Sequence, residues 1–274
     1  MPKTWLITGS SRGLGRALAD AVLASGDNLV ATARDVGELR ELAARFGSRV
    51  SIRALDVTDY AGACDAAKAA AETYGRLDVV ANAAGYGNVG GIEDTTIEDF
   101  RAQIDTNLFG AIHLAKAAIP IMRKQRSGHI ITFSSVGGRI GSTGRAGYSA
   151  AKFGVEGFSE VMATEMSPLG VKVTIIEPGG FRTDFAGSST TIQQVRSEYD
   201  STVGAAGRFQ REFNGKQPGD PVKAAQVILR VANMGAPPLR LLLGSDAVML
   251  VSAADARKSQ LDKDWSELSS STDF

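Results

Sequence analysis

The chain has 274 residues and carries 30 basic and 30 acidic side chains, so its formal net charge is zero. A chain without net charge has no general attraction for nucleic-acid phosphates or anionic lipid, and we expect neither a nucleic acid nor a membrane as its partner. Its 43% of hydrophobic residues is typical of a globular domain, and its single cysteine, Cys64, excludes an internal disulfide framework. We therefore expect a protein of the reducing cytoplasm.

Short aliphatic runs alternate along the chain with longer stretches of helical period. The predicted strands are 4–8, 28–33, 50–55, 77–81, 129–134, 171–177 and 239–243. The predicted helices are 14–25, 36–46, 60–74, 100–126, 148–167, 221–233 and 245–261. This alternation predicts an α/β fold in which a doubly wound parallel sheet of about seven strands has helices on both faces. We assign residues 1–265 to a single domain and expect 266–274 to be a flexible tail.

The first predicted strand ends in a glycine-rich turn, residues 8–15 with the sequence TGSSRGLG, and a helix follows it. Glycines at such a turn let the backbone approach a pyrophosphate, and the N-terminus of the helix presents unpaired N–H groups to the anion. An ordinary glycine-rich turn is the alternative. The strand–helix–strand setting instead favours a dinucleotide site of Rossmann type.

The end of the second strand bears on the choice between NAD and NADP. NAD-selective sites place an acidic residue there, where it binds the ribose hydroxyls. Here the strand is followed by Arg34 and only then by Asp35, and Arg12 lies directly before Gly13. Two guanidinium groups near the adenosine ribose suit a 2′-phosphate, so we predict NADP(H) as the preferred cofactor and NAD(H) as the alternative. Two solvated surface arginines are the competing interpretation.

A tyrosine and a lysine, Tyr148 and Lys152, lie one helical turn apart. A phenol with a pKa of about 10 is a poor acid–base catalyst at neutral pH, and a neighbouring ammonium lowers that pKa. The pair alone is a weak signal, because many helices carry one by chance. Its setting strengthens it, since the fifth strand ends shortly before in Ser134 and Ser135, at the sheet edge where ligands bind in open α/β folds.

The glycine spacing, the Tyr-x-x-x-Lys pair and their order resemble the short-chain dehydrogenase/reductase family over residues 3–244. The resemblance implies hydride transfer, with a catalytic set of Asn107, Ser135, Tyr148 and Lys152. In the family, the tyrosine moves the proton and the serine binds the same substrate oxygen. The lysine binds the nicotinamide ribose, and the asparagine holds a water in the proton relay.

The same resemblance, together with the two arginines, gives a set of expected cofactor contacts along the whole sheet edge. They are Gly9, Ser11, Arg12, Gly13, Leu14, Gly15, Arg34, Asp56, Val57, Asn82, Ala83, Gly85, Tyr148, Lys152, Pro178, Gly179 and Thr183. Ala83 departs from the family pattern, in which a second asparagine follows the first. Asn82, the first of the two, is retained.

We therefore predict an oxidoreductase that transfers hydride between NADP(H) and a ketone or secondary alcohol. Residues 81–87 and the long loop 180–220 are similar to the 17β-hydroxysteroid dehydrogenase-like subgroup, which implies a hydrophobic, steroid- or retinoid-like substrate. A non-catalytic NADP-binding sensor is the alternative, although a sensor has no use for the proton path. The longer epimerase/dehydratase branch differs in its glycine spacing. The two histidines are isolated, so no metal site is expected.

Two further expectations concern the small-molecule pocket and assembly. The polar stretch 180–220 is predicted to be a lid that closes over cofactor and substrate, with a permanently ordered surface segment as the alternative. The predicted helices 100–126 and 148–167 carry more apolar residues than one face of a sheet can cover. Members of the family commonly pair through these helices. We expect a homodimer or homotetramer, with a monomer as the alternative.

Overall fold

The computed structural model describes residues 2–187 and 189–274. Seven parallel strands form one sheet in the order β3-β2-β1-β4-β5-β6-β7. The strands are β1 (Thr4–Thr8), β2 (Asn28–Ala33), β3 (Val50–Ala54), β4 (Val79–Asn82), β5 (Gly128–Phe133), β6 (Val171–Pro178) and β7 (Arg240–Leu243). The predicted α/β fold with a doubly wound parallel sheet is confirmed.

Helices follow most of the strands and lie on both faces of the sheet. They are α1 (Gly13–Ala24), α2 (Arg40–Phe46), α3 (Tyr60–Tyr74), α4 (Ile97–Ile104), α5 (Gly110–Gln125), α6 (Ala146–Met166), α7 (Ala205–Phe213), α8 (Pro221–Ala232), α9 (Ser245–Asp264) and α10 (Ser266–Ser270). Within residues 2–187 and 189–274, none of these helices combines the length and the apolar character needed to cross a bilayer.

Two apolar layers hold the helices against the sheet, because the central strands are hydrophobic on both faces. One layer packs α1, α2 and α8 against the sheet and includes Leu18, Leu42 and Ile228, all fully buried. The other packs α3, α5 and α6 against the opposite face and includes Leu114 and Met162. The core therefore consists of two layers of apolar side chains, one on each face of the β-sheet.

The strand order reverses between β1 and β4. These two strands are neighbours, although the chain passes through β2 and β3 between them. The connections on the two sides leave the sheet in opposite directions, and this opens a crevice at the carboxyl ends of β1 and β4. Because every strand is parallel, the ends of β2, β5 and β6 lie along the same edge.

The stretch predicted as one helix over 100–126 is two helices in the structure. A π-helical turn, Asp105–Phe109, separates α4 from α5. The backbone stays helical through the turn, with φ and ψ of −65° and −47° at Ile104 and −56° and −39° at Gly110. A π turn adds one residue to a helix without breaking its run of apolar residues, so the sequence pattern does not reveal it.

The C-terminal part of the chain leaves the body of the domain. Val251 is the last buried residue of α9, and residues 256–274 are all exposed. The structure places α10 within the stretch predicted as a tail. The flexibility expected for 266–274 stays a prediction.

Ile228 offers a test of the first apolar layer. Its side chain is fully buried under α8, whereas the neighbouring Val227 is 40% exposed. Ile228→Ala should lower the free energy of unfolding by about 2–5 kcal/mol, because it removes buried methyl groups and leaves a cavity. Val227→Ala is the matched control and should change stability by less than about 0.5 kcal/mol. Urea denaturation of both variants measures the difference, and equal losses would contradict this packing.

Candidate active site

The glycine-rich turn between β1 and α1 lies directly against the end of β4. Gly9 has a φ of +67°, and a Cβ on it would be 2.9 Å from the Cα of Ala84. A Cβ on Gly15 would collide with the carbonyl oxygen of Gly9. Both glycines are therefore required by close approach of the backbone. The turn leaves the N-terminus of α1, with its unpaired N–H groups, at the crevice.

Asn82 ends β4 beside this turn. Its side chain is only 5% exposed, yet its amide nitrogen has no hydrogen-bond partner among the described residues. An unsatisfied buried donor costs about 1–3 kcal/mol. The amide of Asn82 is therefore prepared to bind an acceptor on a ligand in the crevice.

The loop after β6 closes the other side of the crevice. The Cβ of Thr183 is 3.7 Å from where a Cβ on Gly13 would lie. The backbone N–H of Gly180 donates to Oδ2 of Asp246 at 2.7 Å, and the same carboxylate packs against Gly179. Asp246 thus holds the loop in place. Sequence analysis missed it, because an acidic residue in the first turn of a helix is an ordinary feature of helix starts.

Two exposed arginines lie beside the crevice, Arg12 directly before Gly13 and Arg34 directly after β2. Neither Arg12 nor Arg34 forms an ion pair within the described ranges of the chain. One carboxylate oxygen of Asp35, Oδ1, accepts a hydrogen bond of 2.7 Å from the backbone N–H of Gly37. Hydrogen bonds from Thr58 lower the pKa of Asp56, and the charge of Arg34 lowers it further. Arg34 therefore lies near the end of β3 as well as that of β2.

Two of the predicted cofactor contacts have apolar side chains that pack against neighbouring residues of the fold. Val57 is 7% exposed and packs against Gly110 of α5. Leu14 is partly buried against the first apolar layer. The buried side chain of Val57 leaves mainly its backbone atoms for contact with a ligand in the crevice.

The four predicted catalytic residues, which we call the reacting centre, lie where α6 passes the end of β5. Tyr148 and Lys152 are 7% and 5% exposed, and Nζ of Lys152 is 5.7 Å from the centroid of the tyrosine ring. The ammonium donates to the carbonyl oxygen of Phe133 at 2.7 Å. Oγ of Ser135 accepts the N–H of Gly137 at 3.1 Å. A Cβ on Gly137 would lie 3.1 Å from the tyrosine ring. The absence of a side chain at Gly137 therefore lets Ser135 and Tyr148 lie close together.

Asn107 lies in the π-helical turn between α4 and α5 and is 2% exposed. Its Oδ1 accepts the N–H of Tyr86 at 3.2 Å, and its Nδ2 donates to the carbonyl oxygens of Tyr86 and Gln103, both at 2.9 Å. A Cβ on Gly85 would meet Oδ1 of Asn107 at 2.6 Å and Nζ of Lys152 at 3.7 Å. Asn107 and Lys152 therefore lie on either side of Gly85. The four predicted catalytic residues are brought together.

Burial dominates the electrostatics of this centre. It raises the pKa of Tyr148 above the usual phenol value, although Ser135 and Arg145 act to lower it. Burial also lowers the pKa of Lys152 to about 8, while the carboxylate of Glu156 raises it. The sequence predicts that Lys152 lowers the pKa of Tyr148. Among the protein's own groups, the ones that lower the pKa of Tyr148 are instead Ser135, through a hydrogen bond, and Arg145, through its charge.

The segment 180–220 covers the reacting centre. Its two ends are tied together, because Phe181 and Gly219 form a short parallel bridge. The ring of Phe185 packs on Tyr148, with 5.6 Å between the two ring centroids. The segment contains α7 and several short helical turns.

The middle of this segment is attached to the loop after β4. Val89 and Ile192 form a second parallel bridge. Beyond it, Arg196 forms ion pairs with Glu93 and Asp94. These contacts are exposed in part, so each contributes little to stability by itself.

Comparisons with known proteins agree with this geometry. Residues 3–194 match the family model described as short chain dehydrogenase. The chain is 47% identical over 270 residues to "Oxidoreductase BOA17" of Botryotinia fuckeliana (strain B05.10), with 98% of each chain covered.

Two solved structures extend the comparison. A short-chain dehydrogenase from Streptomyces avermitilis superposes with a TM-score of 0.93 at 38% identity, and 100% of both chains is covered. The closed form of serine dehydrogenase complexed with NADP+ superposes with a TM-score of 0.75 at 25% identity, over 87% of this chain and 93% of the other. The structural similarity therefore covers most of the chain or all of it.

The contact between Gly9 and Ala84 gives a test of the crevice. Gly9→Ala should abolish binding of a nicotinamide dinucleotide, because the added methyl group forces the turn away from β4. Gly26→Ala is the matched control, since Gly26 also has a positive φ, of +95°, but nothing lies within 4 Å of its Cβ position. Each variant should lose about 1–2 kcal/mol of stability from the left-handed backbone. Calorimetric titration with NADPH and NADH measures binding, and equal affinities of the two variants would contradict the assignment.

Proposed function

The chain belongs to the short-chain dehydrogenase/reductase family, and we propose that it transfers hydride between NADP(H) and a ketone or secondary alcohol. The observation that carries the proposal is the group formed by the buried Asn107, Tyr148 and Lys152 and the partly buried Ser135 at the edge of the sheet, next to the glycine-rich turn. A site that only binds a dinucleotide has no need of a buried tyrosine and lysine with a serine beside them.

The crevice fits a dinucleotide in three respects. The backbone of Gly9 and Ala84 leaves no side chain between β1 and β4. The N-terminus of α1 offers N–H groups to phosphate oxygens, and the buried amide of Asn82 lacks an acceptor among the described residues. Thr183 lies over Gly13 at the opposite wall. When bound there, a nicotinamide cofactor supplies or accepts the hydride.

The reacting residues have distinct tasks in this proposal. Tyr148 gives its hydroxyl proton to the substrate oxygen in reduction and takes it back in oxidation. Ser135 donates a hydrogen bond to the same oxygen and stabilises the charge that develops on it. Lys152 is a cation below a pH of about 8 and binds the nicotinamide ribose, while Ser135 and Arg145 lower the pKa of Tyr148. Asn107 fixes the loop after β4 beside Lys152 and supports the path of the proton to solvent.

Three features of the adenosine end support NADP(H) over NAD(H). Arg12 and Arg34 are exposed and carry no ion pair within residues 2–187 and 189–274, so both can bind a 2′-phosphate. No acid ends β2. The nearest one, Asp35, comes one residue after Arg34, and its Oδ1 already accepts a backbone N–H.

Arg34→Asp tests this preference. The wild type should have the higher kcat/KM with NADPH, and the variant should lose about tenfold to a hundredfold of that preference, as expected for one charge-assisted phosphate contact. Arg40→Asp introduces the same charge change on the exposed start of α2 and should leave the preference unchanged. A wild-type enzyme with the higher kcat/KM for NADH would overturn the proposal.

Tyr148→Phe tests the catalytic assignment. The variant should fold and bind NADPH as the wild type does, because the ring packing survives, while kcat falls by about 10²–10⁴-fold since the transferable proton is gone. Tyr74→Phe removes a hydroxyl that bonds only the carbonyl oxygen of Ser48, at 3.3 Å, and should keep full activity. Steady-state kinetics with a panel of ketones compares the two variants. Wild-type kcat in Tyr148→Phe would exclude Tyr148 from the mechanism.

We also propose that 180–220 is a lid over the substrate. The packing of Phe185 on Tyr148 supports this, because a group in that position excludes water from the reacting oxygen. The bridge between Phe181 and Gly219 ties the two ends of the segment together, and opening of the lid would require the bridge between Val89 and Ile192 to break. The aromatic lining also favours a hydrophobic substrate, as the predicted resemblance to the 17β-hydroxysteroid dehydrogenase-like subgroup implies.

A homodimer or homotetramer is the proposed assembly. Near the start of α5 and along α6, Phe109, Phe153 and Val161 remain 43%, 43% and 58% exposed. Other apolar residues of these helices, Leu114 and Met162, are instead buried against the sheet. Light scattering at micromolar concentration should give the mass of two or four chains, and the mass of one chain would contradict the proposal.

A further inference from the structure

Arg145 is a positively charged side chain at the start of α6, three residues before Tyr148, and it is turned toward the interior. Its guanidinium carbon lies 5.9 Å from the centroids of both the Tyr148 ring and the Phe185 ring. The guanidinium is therefore enclosed between α6 and the segment 180–220. Burial lowers the pKa of Arg145, and Tyr148 is the titratable group whose charge opposes that effect.

This guanidinium makes few hydrogen bonds for a charged group that lies beside two aromatic rings. Nη1 donates to the carbonyl oxygen of Gly87 at 3.5 Å, and Nη2 donates to Oε1 of Gln210 in α7 at 2.8 Å. No carboxylate of the described residues lies within ion-pair distance of it. Arginine has five N–H donors, so most of them are open to a ligand. A partly desolvated charge without a counter-ion is costly and is typical of a functional site.

We propose that Arg145 binds a carboxylate of the substrate, so that the enzyme acts on oxo acids and hydroxy acids rather than on neutral ketones and alcohols. The proposal rests on the proposed hydride transfer at Tyr148 and names the substrate class of that site. The guanidinium of Arg145 carries one positive charge and can bind a carboxylate, which carries one negative charge, with two parallel hydrogen bonds.

The guanidinium and the tyrosine ring share a contact with the loop after β4. A Cβ on Gly87 would lie 2.9 Å from Cδ2 of Tyr148 and 3.1 Å from Nη1 of Arg145. A carboxylate bound at Arg145 would therefore belong to a substrate that also lies against Tyr148. Substrates of increasing chain length measure the span between that carboxylate and the reacting carbon.

Gln210 links the carboxylate site to the lid. Its Oε1 bonds Arg145, and its Nε2 donates to the carbonyl oxygen of Ala186 at 3.0 Å. A neutral amide oxygen therefore holds one position that a substrate carboxylate oxygen would take. Because a charged acceptor forms the stronger hydrogen bond, a bound carboxylate can replace the amide of Gln210.

Paired substrates test the proposal. The substrates are saturated methyl ketones with a terminal carboxylate, at increasing chain length, and each acid is compared with its methyl ester. The wild type, Arg145→Met, Arg145→Lys and Arg45→Met are assayed for their reduction by NADPH. At the best chain length the wild type should favour the acid over the ester in kcat/KM by about tenfold to a hundredfold, mainly through KM. Arg145→Met should lose that ratio, and Arg145→Lys should keep part of it.

Arg45→Met is the matched control. The Arg45 guanidinium also lies over an aromatic ring, 4.9 Å from the centroid of Phe46, but it is paired with Asp20 and Glu41 on the surface. Its removal should leave the acid-to-ester ratio unchanged. Thermal unfolding followed by circular dichroism checks that each variant is folded.

Several outcomes would overturn the proposal while leaving the proposed function intact. Equal turnover of acids and esters by the wild type would do so. If Arg145→Met lowers kcat/KM equally for acids and esters, Arg145 acts only through Tyr148. If that variant has a higher Kd for NADPH, the guanidinium binds the cofactor instead. Failure of every ketone to react would instead count against the proposed function.

A binding measurement then decides the role of Arg145 without turnover. Hexanoate is titrated into the protein with saturating NADPH and followed by calorimetry. Binding to the wild type and to Arg45→Met, with none to Arg145→Met, supports the carboxylate site. Absence of binding to the wild type overturns it.

Discussion

The contact between the backbones of Gly9 and Ala84 is the constraint from which the rest of the site follows. β1 and β4 pair side by side, and the two turns that leave them meet with no side chain between. Because no Cβ separates them, the N-terminus of α1 lies at the crevice and the loop carrying Gly85 continues toward α6. A side chain at Gly9 would widen the crevice and separate its phosphate end from its reacting end.

Burial is the second organising factor. It disfavours the charged forms of the site residues, but it also strengthens the electrostatic interactions between them. Tyr148 and Lys152 are placed in a region where their charged forms are disfavoured, so the pKa of the phenol rises and that of the ammonium falls. The carbonyl oxygen of Phe133 partly offsets this cost for Lys152 by accepting its hydrogen bond. A buried centre has the advantage that each remaining charge and dipole acts strongly on the reacting oxygen, because little water screens it.

Irregular backbone carries much of the function. Asn107 is aimed at Gly85 by a π-helical turn, and the segment 180–220 reaches the reacting centre through short turns and α7 rather than through a long helix. The segment brings Phe185 and Gln210 to Tyr148 and Arg145. In the proposed function, substrate selection therefore depends on the least regular part of the chain.

The sequence by itself determined the sheet, the order of alternation and the residues around which the site forms. Alternating runs of apolar residues identify strands and helices because each period matches one backbone geometry, and the Gly9–Gly15 spacing with Tyr148 and Lys152 identified the crevice and the reacting centre. It predicted one helix over 100–126, since a π turn leaves the apolar pattern unbroken. Only the tertiary structure decided which distant groups meet. Arg145, Asp246 and Phe185 lie in ordinary local sequence, and their roles arise from contacts across the fold that no periodicity or local spacing encodes.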